Sequence, residues 1–215
     1  MKKSLFLLSA LLFAMPSHAA LVNIDLSGAS TSTLINATGA SFSQTFTGQS
    51  VSGIGITGTP TGPLSLTASG SLTVASFDPG CTGCNLGNSI IPQPSNTAPL
   101  AILLDSNADS FSWVMGSAVA GSSITIDLFS GDGSLVNSFL QATINNYNKY
   151  SISGLGTFAG LTFRNNNDPA GLRFMDMSYN SVSVNEVPLP AAAFLFAPAL
   201  IGFMGLRRKA KNTVA

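Results

Sequence analysis

Ser122-Ser123-Ile124-Thr125-Ile126-Asp127-Leu128 alternates apolar with polar side chains and leads into Ser130-Gly131-Asp132-Gly133, after which a second strand-like run continues to Leu140. Successive side chains of an extended strand point to opposite faces, so Ile124, Ile126 and Leu128 share one face, the inward one. The Asp-Gly pair and the other glycine tolerate the positive φ that a tight hairpin turn requires. The stretch predicts a β-hairpin over residues 123–140.

The same period recurs outward from this hairpin. Leu21 to Ser27 puts Val22, Ile24 and Leu26 on one face and Asn23 and Asp25 on the other. Ser71 to Phe77 and Asn180 to Val184 also alternate, and Phe111, Trp113 and Met115 alternate along one apolar face, which places Trp113 in the core. Gly, Pro, Asn and Asp punctuate these runs, and no segment keeps a helical period. Residues 20–186 therefore predict one all-β domain, a β-sandwich or jelly roll. Gly28 to Gly62 is rich in Ser, Thr, Gly and Ala; Phe42, Phe46, Val51, Ile54 and Ile56 favour strands there, against a loosely ordered arm. Pro79 to Pro99, with Pro92 and Pro94 inside it, predicts a long surface loop.

The formal charge of the 215 residues is zero, but it is unevenly spread. Lys2, Lys3, Arg207, Arg208, Lys209 and Lys211 stand at the two ends, whereas residues 20–186 hold all nine acids against three bases, Lys149, Arg164 and Arg173, a balance of −6. A segment without a basic stripe does not suit a nucleic-acid partner. The one histidine is His18, so residues 20–186 contain neither a Ser-His-Asp nor a Cys-His nucleophile system and no His metal ligand. The eight aspartates are scattered singly and the lone glutamate is Glu186. The composition predicts a protein without catalytic activity of its own.

Both ends read as addresses. Lys2-Lys3, the apolar run Leu5 to Met15 and the small residues of Ser17-His18-Ala19 form a signal peptide over residues 1–19, cleaved between Ala19 and Ala20 after passage through the Sec machinery. The apolar run is too short for a span, which needs about 20 residues. At the other end, Val187-Pro188-Leu189-Pro190-Ala191 opens a stretch without charge to Leu206, followed by the basic tail Arg207, Arg208, Lys209 and Lys211. A helix over 187–206 is long enough to cross a bilayer of about 30 Å, and the basic tail puts the C-terminus in the cytoplasm.

A Pro-X-Pro motif, an apolar span and a terminal basic cluster, in that order, resemble the PEP-CTERM sorting signal of Gram-negative bacteria. Leu189 stands where that signal usually has Glu, and Val-Pro-Leu-Pro-Ala resembles its VPLPA-CTERM variant. The resemblance implies that residues 187–215 are recognised by an exosortase, a membrane-embedded transpeptidase-like protease. It implies cleavage near the prolines and delivery to the cell surface or extracellular matrix, often with exopolysaccharide. Asp109 to Ser117, the hairpin after it and Arg173 to Tyr179 resemble the extracellular domain of some proteins carrying this signal.

Candidate sites in the exported segment are few. Cys81-Thr82-Gly83-Cys84 is the only cysteine pair, and export favours a local disulfide over reduced thiols. Zinc would need further ligands that the segment lacks. No cofactor is expected; structural calcium has only Asp132, Asp168 and Asp176 as carboxylates to draw on, and their spacing matches no calcium loop. Tyr147 and Tyr150, in the polar run Asn145 to Tyr150, are the candidates for contact with a glycan. Two functions follow: a surface or matrix protein sorted by an exosortase, and a carbohydrate-binding module acting on exopolysaccharide.

Overall fold

The computed structural model describes residues 19–182, apart from 79, 81–83, 86, 95, 117–120 and 144–145. The described residues are all-β, with fourteen strands and no helix. In chain order these are β1 (Ala20–Asn23), β2 (Ile35–Ala37), β3 (Ala40–Ser43), β4 (Thr45–Phe46), β5 (Gln49–Ser52), β6 (Gly55–Gly58) and β7 (Leu66–Thr67). Then follow β8 (Ser71–Phe77), β9 (Gly87–Gln93), β10 (Leu100–Gly116), β11 (Ser123–Phe129), β12 (Leu135–Ala142), β13 (Asn148–Asn165) and β14 (Arg173–Ser181). The predicted signal peptide up to His18, the motif Val187 to Ala191, the predicted span to Leu206 and the basic tail lie outside the described residues.

The predicted hairpin forms. β11 and β12 pair antiparallel with Ile126 opposite Phe139, and the turn closes with Ser130 N–H donating to the Ser134 carbonyl at 3.0 Å. Gly133 takes φ +85°, a conformation that costs a residue without Cβ little. Ile124, Ile126 and Leu128 are fully buried, as the alternation requires.

Ten strands form one sheet in the order β12-β11-β13-β10-β14-β9-β8, with β1 beside β14 and β2-β3 joined to β10; β4-β7 and β5-β6 are small separate pairs. Two long strands, β10 and β13, divide this sheet into halves. Leu100 to Leu103 pair with Phe163 to Gly160, whereas Ser110 to Met115 pair with Ser153 to Asn148, and the register shifts at Ala108 between them. Such irregularities bend a strand and sharpen its twist. The inner faces of the halves meet sandwich-fashion around Phe163, whose ring lies 5.2 Å from Trp113 and 4.8 Å from Phe174. Trp113 and Phe163 are fully buried, which matches the core position expected for Trp113.

Residues 28–62 form strands β2 to β6 rather than a loose arm, anchored by the fully buried Phe42 and Phe46. The expected loop over 79–99 is corrected: Gly87–Gln93 is a strand between β8 and β14. Ser89, Ile90 and Ile91 are buried there, and their burial outweighs the disfavour of Pro92. Pro92 pairs with Leu72 of β8, while the ladder toward β14 is made at Ile90, so its missing donor breaks no bond on that side.

Candidate functional site

The inward alternation of Phe111, Trp113, Ile152 and Tyr179 turns their sequence neighbours outward. Register then collects these neighbours. Ser110 stands between Ser153 of β13 and Asn180 of β14, and Ser112 stands between Ser151 and Ser178. Leu21 and Asn23 of β1 continue the two rows beyond Asn180 and Ser178. All of these side chains except Asn23 line an open cleft of about 220 Å³ across four adjacent strands. Ser112 and Ser178 share a hydrogen bond of 2.8 Å, and Ser151 and Ser153 are exposed. Each hydroxyl both donates and accepts, so the face offers a dense, uncharged set of hydrogen-bonding positions.

One end of this face is charged. Ser112 pairs with Ser178 but Val114 pairs with Met175, so β14 holds one extra residue there. Asp176 sits in this bulge with φ +46°, a left-handed conformation rarely taken by a residue other than glycine. Its carboxylate meets Lys149 Nζ at 3.1 Å and accepts from Asn85 Nδ2 at 2.8 Å. Partial burial pushes the Asp176 carboxyl upward, but the bonds from Asn85 and Lys149 and the lysine charge outweigh it and hold it below its ordinary value. A second, larger cleft of about 440 Å³ opens beyond it, lined by Asp25, Asn85, Asn88 and Asp176 among others. Ser27 bonds Asp25 through its backbone N–H and its hydroxyl, and both bonds lower the Asp25 pKa.

The residues expected from the sequence fall in several places. Tyr150 is not a surface contact: it is buried, stacked on Trp113 with centroids 5.6 Å apart. Its polar neighbours in sequence suggested exposure, but it lies directly opposite Trp113 on the inner face. Tyr147 is half-buried on the outer face, packed 4.7 Å from Phe77, whose ring also carries the Arg173 guanidinium at 4.2 Å. Burial raises the Tyr147 phenol, and Arg173 offsets part of this.

The three aspartates considered for calcium do not converge. Asp132 is held low by the Ser130 hydroxyl and the Ser134 N–H in the hairpin turn. Asp168 is buried and accepts from Ala170 N–H at 2.9 Å, and Asp176 belongs to the bulge. Cys84 is disulfide-bonded, and Cys81 lies outside the described residues. Ala20, predicted to begin the mature chain, starts β1 opposite Ser181.

Sequence reasoning missed the serine face. Its signal is the alternation itself: Ser110-Phe111-Ser112-Trp113, Ser151-Ile152-Ser153 and Ser178-Tyr179-Asn180 each set a small polar residue beside a core residue.

No protein family matches the chain by sequence, and no curated protein does. Among solved structures the chain is similar to a family 29 carbohydrate binding module at 12% identity, over 80% of this chain and 99% of that one, with a TM-score of 0.35. A second family 29 module, from Piromyces equi, is 10% identical over 71% and 98% of the two chains, with a TM-score of 0.30. A Clostridium stercorarium carbohydrate binding module, solved with cellobiose, is 16% identical over 52% and 82%, with a TM-score of 0.31. Likeness at this level says nothing of what this chain binds.

Proposed function

We propose that this chain is an exported, non-catalytic protein that binds a polysaccharide along the outer face of β1, β14, β10 and β13. The observation that carries this is the juxtaposition of Ser110, Ser112, Ser151, Ser153, Ser178 and Asn180 on one open cleft. A sugar chain presents hydroxyls at close, regular intervals. A strand pair also presents side chains repetitively, two residues apart along each strand. Small hydroxyl residues leave room for the rings and exchange hydrogen bonds in either direction. The Asp176–Lys149 pair supplies one stronger, charge-assisted position at the end of the face.

The setting comes from the termini. The signal peptide and the Val187-Pro188-Leu189-Pro190-Ala191 motif with its span and basic tail support export and exosortase sorting to the surface or matrix of a Gram-negative cell. Exopolysaccharide is then the nearest polymer.

The test is a glycan array probed with the full chain in detergent and with its Ser112→Leu, Ser151→Leu variant. Both positions face outward, so the leucines fill the cleft without entering the core. Binding by the parent and its loss in the folded variant is the expected result. Equal binding by the two proteins removes this face from consideration.

A further inference from the structure

A third cleft lies on the other outer face of the sandwich, between the β5–β6 hairpin and β11–β13. Asp127 sits between the inward Ile126 and Leu128 and therefore points outward, opposite Ser138 on one side and Thr162 on the other. Arg164 donates to it twice, Nε to Oδ2 at 2.9 Å and Nη2 to Oδ1 at 3.2 Å. The Ser138 hydroxyl adds a bond of 2.5 Å and Thr162 one of 3.5 Å. The carboxylate is thus fully engaged and the arginine charge is balanced. The cleft above them has a volume of about 250 Å³.

Its hydrogen-bonding side chains lean toward donors: the Thr59 and Ser138 hydroxyls in the lining donate or accept, whereas two nitrogens only donate. Nη1 of Arg164 has no partner among the described residues. The same holds for Nε2 of Gln49, a largely buried residue whose Oε1 accepts from Phe46 N–H at 3.1 Å. Neither nitrogen is a buried orphan, so both are open to water, which an acceptor on a ligand replaces. Beside these donors the walls are apolar: Ile56, Pro60 and Leu135, the last 58% exposed. A fitting ligand therefore carries an acceptor oxygen next to a small apolar group. An anionic acceptor is disfavoured, because the ion pair is neutral and residues 20–186 carry a balance of −6.

We propose that this cleft is a second ligand site, which takes the acetyl group of an acetylated sugar. The acetyl carbonyl accepts from Arg164 and Gln49, and its methyl packs against Ile56, Pro60 and Leu135. None of these residues lines the serine face, so this site stands or falls independently of the polysaccharide-binding face.

The experiment is a calorimetric titration of the full chain in detergent with an N-acetylglucosamine trimer, the fully deacetylated trimer, an O-acetylated xylan oligomer and a uronate trimer. Saturable binding of at least one acetylated oligomer, without binding of the deacetylated or uronate ones, is expected. The two acetylated arms separate amide from ester carriers of the group. Gln49→Glu keeps the acceptor for Phe46 but removes the amide donor, and is expected to weaken binding about tenfold, the effect of one unmade buried hydrogen bond. Leu135→Ser, at an exposed wall that folding does not depend on, is expected to weaken it a few-fold. Ser112→Leu, Ser151→Leu is expected to leave it unchanged. Failure of both acetylated oligomers to bind, equal binding of the deacetylated trimer, or parent-like affinity in both Gln49→Glu and Leu135→Ser overturns the proposal.

Discussion

Ser112 on β10 and Ser178 on β14 stand opposite each other with their hydroxyl oxygens 2.8 Å apart, on the outward side of two strands whose inward side holds Trp113 and Tyr179. The pair links the polar face to the core, because the neighbours that bury themselves decide that these hydroxyls stay outside. Both serines are only partly buried, so water replaces either hydroxyl readily. Ser112→Ala and Ser178→Ala should therefore each lower stability by no more than about 1 kcal/mol in denaturant unfolding. A larger loss would make the bond structural rather than available to a ligand.

Phe163 is where the two halves of the sheet meet, with Trp113, Phe111 and Phe174 rings all within 6.4 Å. Phe163→Ala should cost about 3–5 kcal/mol through lost contact and the cavity left behind. That is a large part of a domain stability of about 5–15 kcal/mol, so its chemical-denaturation midpoint should fall steeply. A shift under about 1 kcal/mol would show that the halves are not held together here.

Tyr147 offers a titration. Burial comes first among the causes and favours the neutral phenol, so the folded pKa lies above the ordinary 10.0. The sign follows: the contribution is fully present below the unfolded pKa and is lost as pH rises through the folded value. Absorbance at the phenolate band should show this tyrosine ionising later than the free amino acid. Arg173→Gln removes the offsetting charge and should move it later still; an earlier midpoint in that variant would contradict the packing described.

The proposed sorting role of Val187 to Ala191 is tested by Pro188→Ala with Pro190→Ala. Prolines favour an extended backbone, whereas alanine is the best helix former and would favour a helix through the motif. The precursor, its basic tail intact, should then accumulate in the membrane fraction of a host with the matching exosortase. Normal release of the variant would leave the tail as a plain anchor.

Alternation along single strands is legible in the amino-acid sequence itself. Val22, Ile24 and Leu26, or Ile124, Ile126 and Leu128, sort to one face because a pleated strand has a period of two whatever it pairs with. The hairpin turn at Ser130 to Gly133 is equally local, since tolerance of positive φ is a property of the residues themselves. The addresses proposed for the termini rest on the chain alone, because a bilayer selects length and charge rather than tertiary contacts.

Pairing is decided only by the tertiary structure. Ser112 lies 66 positions from Ser178, and Asp127 lies 37 from Arg164. No local period indicates which strands become neighbours or at what offset; that follows from packing the halves around Phe163. The same packing sets Tyr150 opposite Trp113 and buries it despite its polar neighbours. It also draws Ile90 and Ile91 into a strand despite Pro92, because apolar area removed from water outweighs the propensity of a short segment.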